Sequence, residues 1–183
     1  MRHLPNLICL VRIALVWPIL DALRRGAYVA ALTLFVIAAL SDGLDGYLAK
    51  RFGWTSALGR FLDPLADKLL LITVFVSGAW LELIPWWLTA AVVARDVLIG
   101  LGALTFRMWF GPLHGRPTLV SKVNTAAQLI YVALVLLYAA VARPPPLIME
   151  GAAVLTLATT VVSGLHYMLT FARRAWLLPT ASP

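Results

Sequence analysis

Apolar residues dominate this chain in runs of about 20, the length a helix needs to cross the hydrocarbon core of a bilayer. Six runs are legible: about Asn6–Leu23, Gly26–Lys50, Ser56–Leu81, Pro85–Trp109, Leu119–Val141 and Leu147–Phe171. Short polar or proline-rich breaks divide them, at Asp21 to Arg25, at 50–55, from Glu82 to Pro85, at 110–118, and at Arg143 with the three prolines that follow it. No internal repeat or low-complexity linker interrupts the series. The pattern predicts an all-α, polytopic membrane protein with six transmembrane helices, forming one domain over 1–183.

Composition strengthens that picture. Of 183 residues, 62% are hydrophobic and 13% charged, and mean hydropathy is +0.90, outside the range of soluble globular domains. The net charge of +7 comes from basic residues scattered between apolar runs. Anionic headgroups and phosphate-bearing substrates suit that scatter. No basic stripe interleaved with aromatics is present, so nucleic acid is excluded as a partner. Cys9 is the single cysteine, so neither an intramolecular disulfide nor a cysteine metal site is available. The first run carries Arg12 and reaches Leu20 without a small-residue cleavage site, which reads as a retained first span.

Orientation follows from the Lys and Arg distribution. With the N-terminus inside, twelve of the fifteen basic residues fall on the inner side, and only Arg24, Arg25 and Arg143 on the other. Both termini are therefore expected to be cytoplasmic, in a bacterial inner membrane. Trp80, Trp86 and Trp87 flank the short break between the third and fourth runs, where an interfacial aromatic belt belongs on the opposite side.

Against this background one cluster stands out. Four of the eight acidic residues, Asp42, Asp45, Asp63 and Asp67, fall at the end of the second run and the start of the third. A charge at membrane depth costs about 2.5–3.5 kcal/mol on insertion scales, so such a cluster marks a functional site. Asp42 and Asp45 are spaced i,i+3, and Asp63 and Asp67 i,i+4, so each pair shares a helix face. Two antiparallel helices joined by a short turn bring those faces together at the cytoplasmic end. Gly46, Ala49 and Gly59 lie on or beside the same faces, leaving room for a ligand or a backbone. Four carboxylates without Cys or a nearby His form a hard-oxygen donor set for Mg2+ or Mn2+. Two such ions would clamp a phosphoryl group. Lys50, Arg51 and Arg60 add positive charge for phosphate, and Pro64 removes one helical hydrogen bond next to Asp63.

The pattern Asp42-x2-Asp45-Gly46-x2-Ala49-Lys50-x8-Gly59-x3-Asp63-x3-Asp67 resembles the signature of the CDP-alcohol phosphatidyltransferase family, with Lys50 where that family usually has Arg. The segment from Leu4 to Ile13 is similar to its first helix, and six spans is its usual number. The resemblance implies that an acceptor hydroxyl attacks the β-phosphorus of a CDP-linked lipid, such as CDP-diacylglycerol, and that CMP leaves. By position, Asp42, Asp45, Asp63 and Asp67 would be metal ligands, and Asp67 would also take the acceptor's proton. Gly46, Ala49, Lys50, Gly59 and Ser56 would shape the CDP-lipid pocket. A homodimer is likewise implied.

Acceptor choice rests on a later segment. Pro117, Ser121, Lys122, Asn124, Thr125 and Gln128 resemble the eukaryotic-type cardiolipin synthase branch, implying phosphatidylglycerol as acceptor. Branches that use glycerol 3-phosphate tend to carry a second Lys where Asn124 stands. A phosphodiester headgroup has one charge and needs fewer cations than a glycerophosphate dianion. Arg95 and Lys122 join Asn124 as candidate acceptor contacts, Arg95 being equally suited to a structural ion pair with Asp96. Arg12 suits a lipid phosphate, a pair with Asp42, or a topology charge. The alternatives are a glycerol 3-phosphate phosphatidyltransferase and, outside the enzymes, a membrane cation carrier.

Overall fold

The computed structural model describes the backbone of residues 4–52, 59–110, 118–141 and 145–177, and the side chains of 10–41, 68–105, 108–109, 118–141, 145, 147–171 and 173. Among these residues the regular structure is six α-helices: α1 (Leu4–Arg24), α2 (Tyr28–Phe52), α3 (Gly59–Trp80), α4 (Trp86–Phe110), α5 (Leu119–Ala140) and α6 (Pro146–Leu177). The expected boundaries agree closely, except that α6 runs past Phe171 to Leu177. Hydropathy stops at the membrane edge, whereas the helix ladder continues through Arg173 and Arg174, both good helix formers.

Local chemistry sets the turns. Gly26, at φ 70°, closes α1 as its amide bonds Leu23 O at 3.1 Å and the Ala27 amide bonds Ala22 O at 2.9 Å. These are the paired bonds of a Schellman cap. The same pair recurs after α3, from Glu82 to Ala79 O at 3.1 Å and from Leu83 to Gly78 O at 2.8 Å. Here the left-handed position is Glu82, at φ 57°. Ile84 folds back onto Gly78, where a Cβ would lie 2.7 Å from Ile84 Cδ1. Helix α5 begins at Thr118, whose side chain accepts from the Ser121 amide, and α6 begins on Pro146, a residue suited to a first helical turn.

Helix α1 packs against α2 and α3, α5 against α6 and α2, and α4 against α6 and α3. The apolar core comprises Ile19 and Leu23 of α1, Ala31, Phe35 and Ala38 of α2, Leu70, Leu71, Val74 and Phe75 of α3, with Leu88, Val92, Tyr131, Val132 and Leu136 from α4 and α5. Yet the outward faces are apolar too, including Leu98, Leu101 and Leu104 on α4 and Leu155, Val162, Leu165 and Leu169 on α6. Buried among the helices are Arg12, Arg95, Asn124, Gln128, Thr160 and Ser163. Apolar outside with polar groups gathered inside is the arrangement of a protein whose solvent is lipid.

Among the described residues, three stretches are long and apolar enough to cross a membrane, Trp86–Thr105, Leu119–Ala140 and Leu147–Phe171, and two shorter apolar ones are Tyr28–Ser41 and Lys68–Trp80. Trp80, Trp86 and Trp87 are exposed at the α3–α4 turn, with the rings of Trp80 and Trp86 edge-to-face at 5.6 Å.

Candidate active site

The aspartates lie on continuous helix. Helix α2 runs unbroken through Asp42, Asp45, Gly46, Ala49 and Lys50 to Phe52, and α3 runs from Gly59 through Asp63, Pro64 and Asp67. The i,i+3 and i,i+4 spacings are therefore realised as shared helix faces. The side chains at these positions, and Ser56 altogether, lie outside the described residues. Helix α1 packs against both carriers, and its Arg12 is 2% exposed.

Beside the cluster the structure brings together a charged group whose full membership the sequence pattern had not disclosed. Lys68, the residue after Asp67, donates through Nζ to both carboxylate oxygens of Asp96, at 2.7 and 2.8 Å. Asp96 also accepts from Nη1 of the adjacent Arg95. Nη2 of Arg95 donates to Ser121 Oγ at 3.0 Å and to Ser163 Oγ. The guanidinium sits 5.9 Å from the centre of the Tyr167 ring, within cation–π range. Both side chains of the Arg95–Asp96 pair are 5% exposed, whereas Lys68 is 32% exposed. One carboxylate thus holds two cations, and the group joins α3, α4, α5 and α6.

Of the two sequence-based roles for Arg95, the structure realises the ion pair with Asp96. Removing one partner of such a buried pair costs about 3–5 kcal/mol, because the remaining charge is left uncompensated. Gly164 lies against the arginine stem, where a Cβ would make ordinary van der Waals contact, 3.5 Å from Arg95 Cγ.

The other two candidate acceptor contacts diverge. Lys122, in the first turn of α5, is exposed. Asn124 is fully buried and accepts at Oδ1 from Thr160 Oγ1 of α6 at 2.9 Å. One turn further along α5, Gln128 is also fully buried, and among the described residues neither end of its amide has a hydrogen-bond partner; Asn124 Nδ2 has none there either. Lys68 and Asp96 carried a signal, being charges within apolar runs. Ser163, Thr160 and Tyr167 carried none, because hydroxyls and aromatics are ordinary in membrane helices.

Comparison with known proteins points the same way as the motif. Residues 2–172 match the family model described as CDP-alcohol phosphatidyltransferase. The chain is 38% identical over 147 residues to cardiolipin synthase (CMP-forming) of Rattus norvegicus, covering 71% of this chain and 48% of that protein. It is equally similar to the human cardiolipin synthase (CMP-forming), with the same coverage. To the CDP-diacylglycerol–glycerol-3-phosphate 3-phosphatidyltransferase of Pseudomonas fluorescens it is 34% identical over 192 residues, covering 95% of this chain and 90% of that protein. The chain spans about half the length of the two cardiolipin synthases.

Proposed function

The chain belongs to the CDP-alcohol phosphatidyltransferase family, and from that premise we propose that it transfers a phosphatidyl group from CDP-diacylglycerol to phosphatidylglycerol, forming cardiolipin and releasing CMP. The observation that carries the reading is the full aspartate motif on α2 and α3 of a chain 38% identical to cardiolipin synthases. The acceptor hydroxyl attacks the β-phosphorus, the bond from that phosphorus to the CMP oxygen breaks, and the hydroxyl proton passes to Asp67.

The donor set fits a hard divalent ion, since α2 and α3 contain Asp but no Cys or His, and oxygen ligands select Mg2+ or Mn2+. Asp42, Asp45, Asp63 and Asp67 would hold two ions, which supply charge stabilisation at the phosphoryl oxygens. Gly46, Ala49, Lys50, Ser56 and Gly59 would form the CDP-lipid pocket.

The charges on α4 and α5 support a singly charged acceptor. Arg95 is engaged by Asp96, Ser121 and Ser163, which leaves Lys122, among the described side chains of these two helices, to meet an acceptor phosphate. Arg95 and buried Asn124 then shape the wall behind it. A second reading, glycerol 3-phosphate as acceptor, is favoured by the match through 90% of the Pseudomonas fluorescens protein.

In this reading all six helices span a bacterial inner membrane as a homodimer, with the site and both termini cytoplasmic, following the Lys and Arg bias. The deciding experiment supplies the purified protein with labelled CDP-diacylglycerol, Mg2+ and either acceptor, then separates the lipids by thin-layer chromatography. Cardiolipin from phosphatidylglycerol is expected. Phosphatidylglycerol phosphate from glycerol 3-phosphate would support the second reading, and CMP release with neither acceptor would remove both.

A further inference from the structure

The ion-pair group next to the aspartates has a geometric consequence for them. Successive helical residues are about 100° apart around the axis, so fixing the direction of Lys68 fixes the direction of Asp67 and, one turn earlier, Asp63. Lys68 is held by both oxygens of Asp96. Asp96 is itself immobilised by Arg95, whose other amino group is anchored on α5 and α6 through Ser121 and Ser163. Helix α3 is therefore pinned to three other helices one residue beyond its second motif aspartate. The contact ties the start of α3 to α4 and adds to the restraint on rotation and sliding that apolar packing at Leu70, Leu71 and Val74 provides.

We infer that Lys68 and Asp96 are positioning residues, a clamp that sets the azimuth and height of α3 so that Asp63 and Asp67 face the aspartates of α2. The inference rests on the proposed phosphatidyl transfer at those aspartates. A pair serving stability alone would lower the melting temperature when broken and leave the folded protein's metal affinity and turnover unchanged. A positioning pair changes both, because ligands turned away from one another no longer converge.

The test compares wild type with Lys68→Met, Lys68→Arg and Asp96→Asn, each taken as the monodisperse fraction in detergent. Two quantities are read: Mn2+ affinity by electron paramagnetic resonance, and CMP release from CDP-diacylglycerol. Lys68→Met is expected to weaken Mn2+ binding about 10-fold or more, the scale seen when groups supporting metal ligands are removed. Its kcat should fall in parallel while KM for CDP-diacylglycerol stays near the wild-type value. Lys68→Arg should restore both quantities, since a guanidinium also reaches two carboxylate oxygens. Asp96→Asn should reproduce the loss, and it decides the matter if Lys68→Met yields no folded protein. Wild-type Mn2+ affinity and kcat in Lys68→Met or Asp96→Asn overturn the clamp, as does an arginine variant as impaired as the methionine one. If wild type releases no CMP with any acceptor while the Mn2+ differences persist, the clamp stands and the transferase reading falls. If wild type neither binds Mn2+ nor releases CMP, both fall.

Discussion

Asn124 and Thr160 meet across the α5–α6 interface, the threonine hydroxyl donating to the amide oxygen at 2.9 Å with both side chains buried. Thr160→Val keeps the shape and removes the donor. Interhelical hydrogen bonds in membrane proteins contribute about 0.6 kcal/mol on average and up to about 1.7, so a drop of a few degrees in Tm is expected. Adding Asn124→Leu should recover part of the loss, since deleting both partners leaves no orphan acceptor. Thermal unfolding of the two variants side by side checks this.

Gln128 presents the opposite case. Among the described residues both ends of its buried amide lack a partner, an arrangement that costs about 1–3 kcal/mol. Gln128→Met is expected to raise Tm. A lower Tm would instead indicate that an ordered water satisfies the amide.

The α3–α4 turn offers an independent gain. Glu82 is exposed and takes a left-handed backbone, which costs a residue with a Cβ about 1–2 kcal/mol. Glu82→Gly relieves that strain, offset by about 0.4–1 kcal/mol from the greater freedom of glycine in the unfolded chain. The expected result is a small rise in Tm with turnover unchanged, because the turn lies at the opposite end of α3 from the aspartates.

Asp67→Asn tests the base. Loss of a general base lowers rates about 100- to 10,000-fold, so kcat should fall on that scale while binding of CDP-diacylglycerol largely survives. Near-normal CMP release would remove Asp67 from that role.

Residues a few positions apart account for most of what the sequence discloses. Runs ending at Leu23, Leu81 and Val141 mark helices because hydropathy and turn chemistry act over neighbouring positions. The aspartate spacings specify a shared face because an α-helix has one period, and Gly26 marks its turn through its own backbone freedom. The end of α6 was less legible, since hydropathy reports the membrane edge rather than the end of the hydrogen-bond ladder.

Partner choice belonged to the tertiary structure. The sequence showed that Arg95 needed an anion and that Lys122 and Asn124 lay on one helix. It did not show that Asp96 would hold Lys68 and Arg95 together, that Ser163, 68 residues away, would take the remaining amino group, or that Asn124 would be spent on Thr160. Those outcomes depend on the rotation and height of whole helices against one another. These are set by packing summed over many distant residues, and an apolar helix in lipid carries little local pattern to reveal which face turns inward.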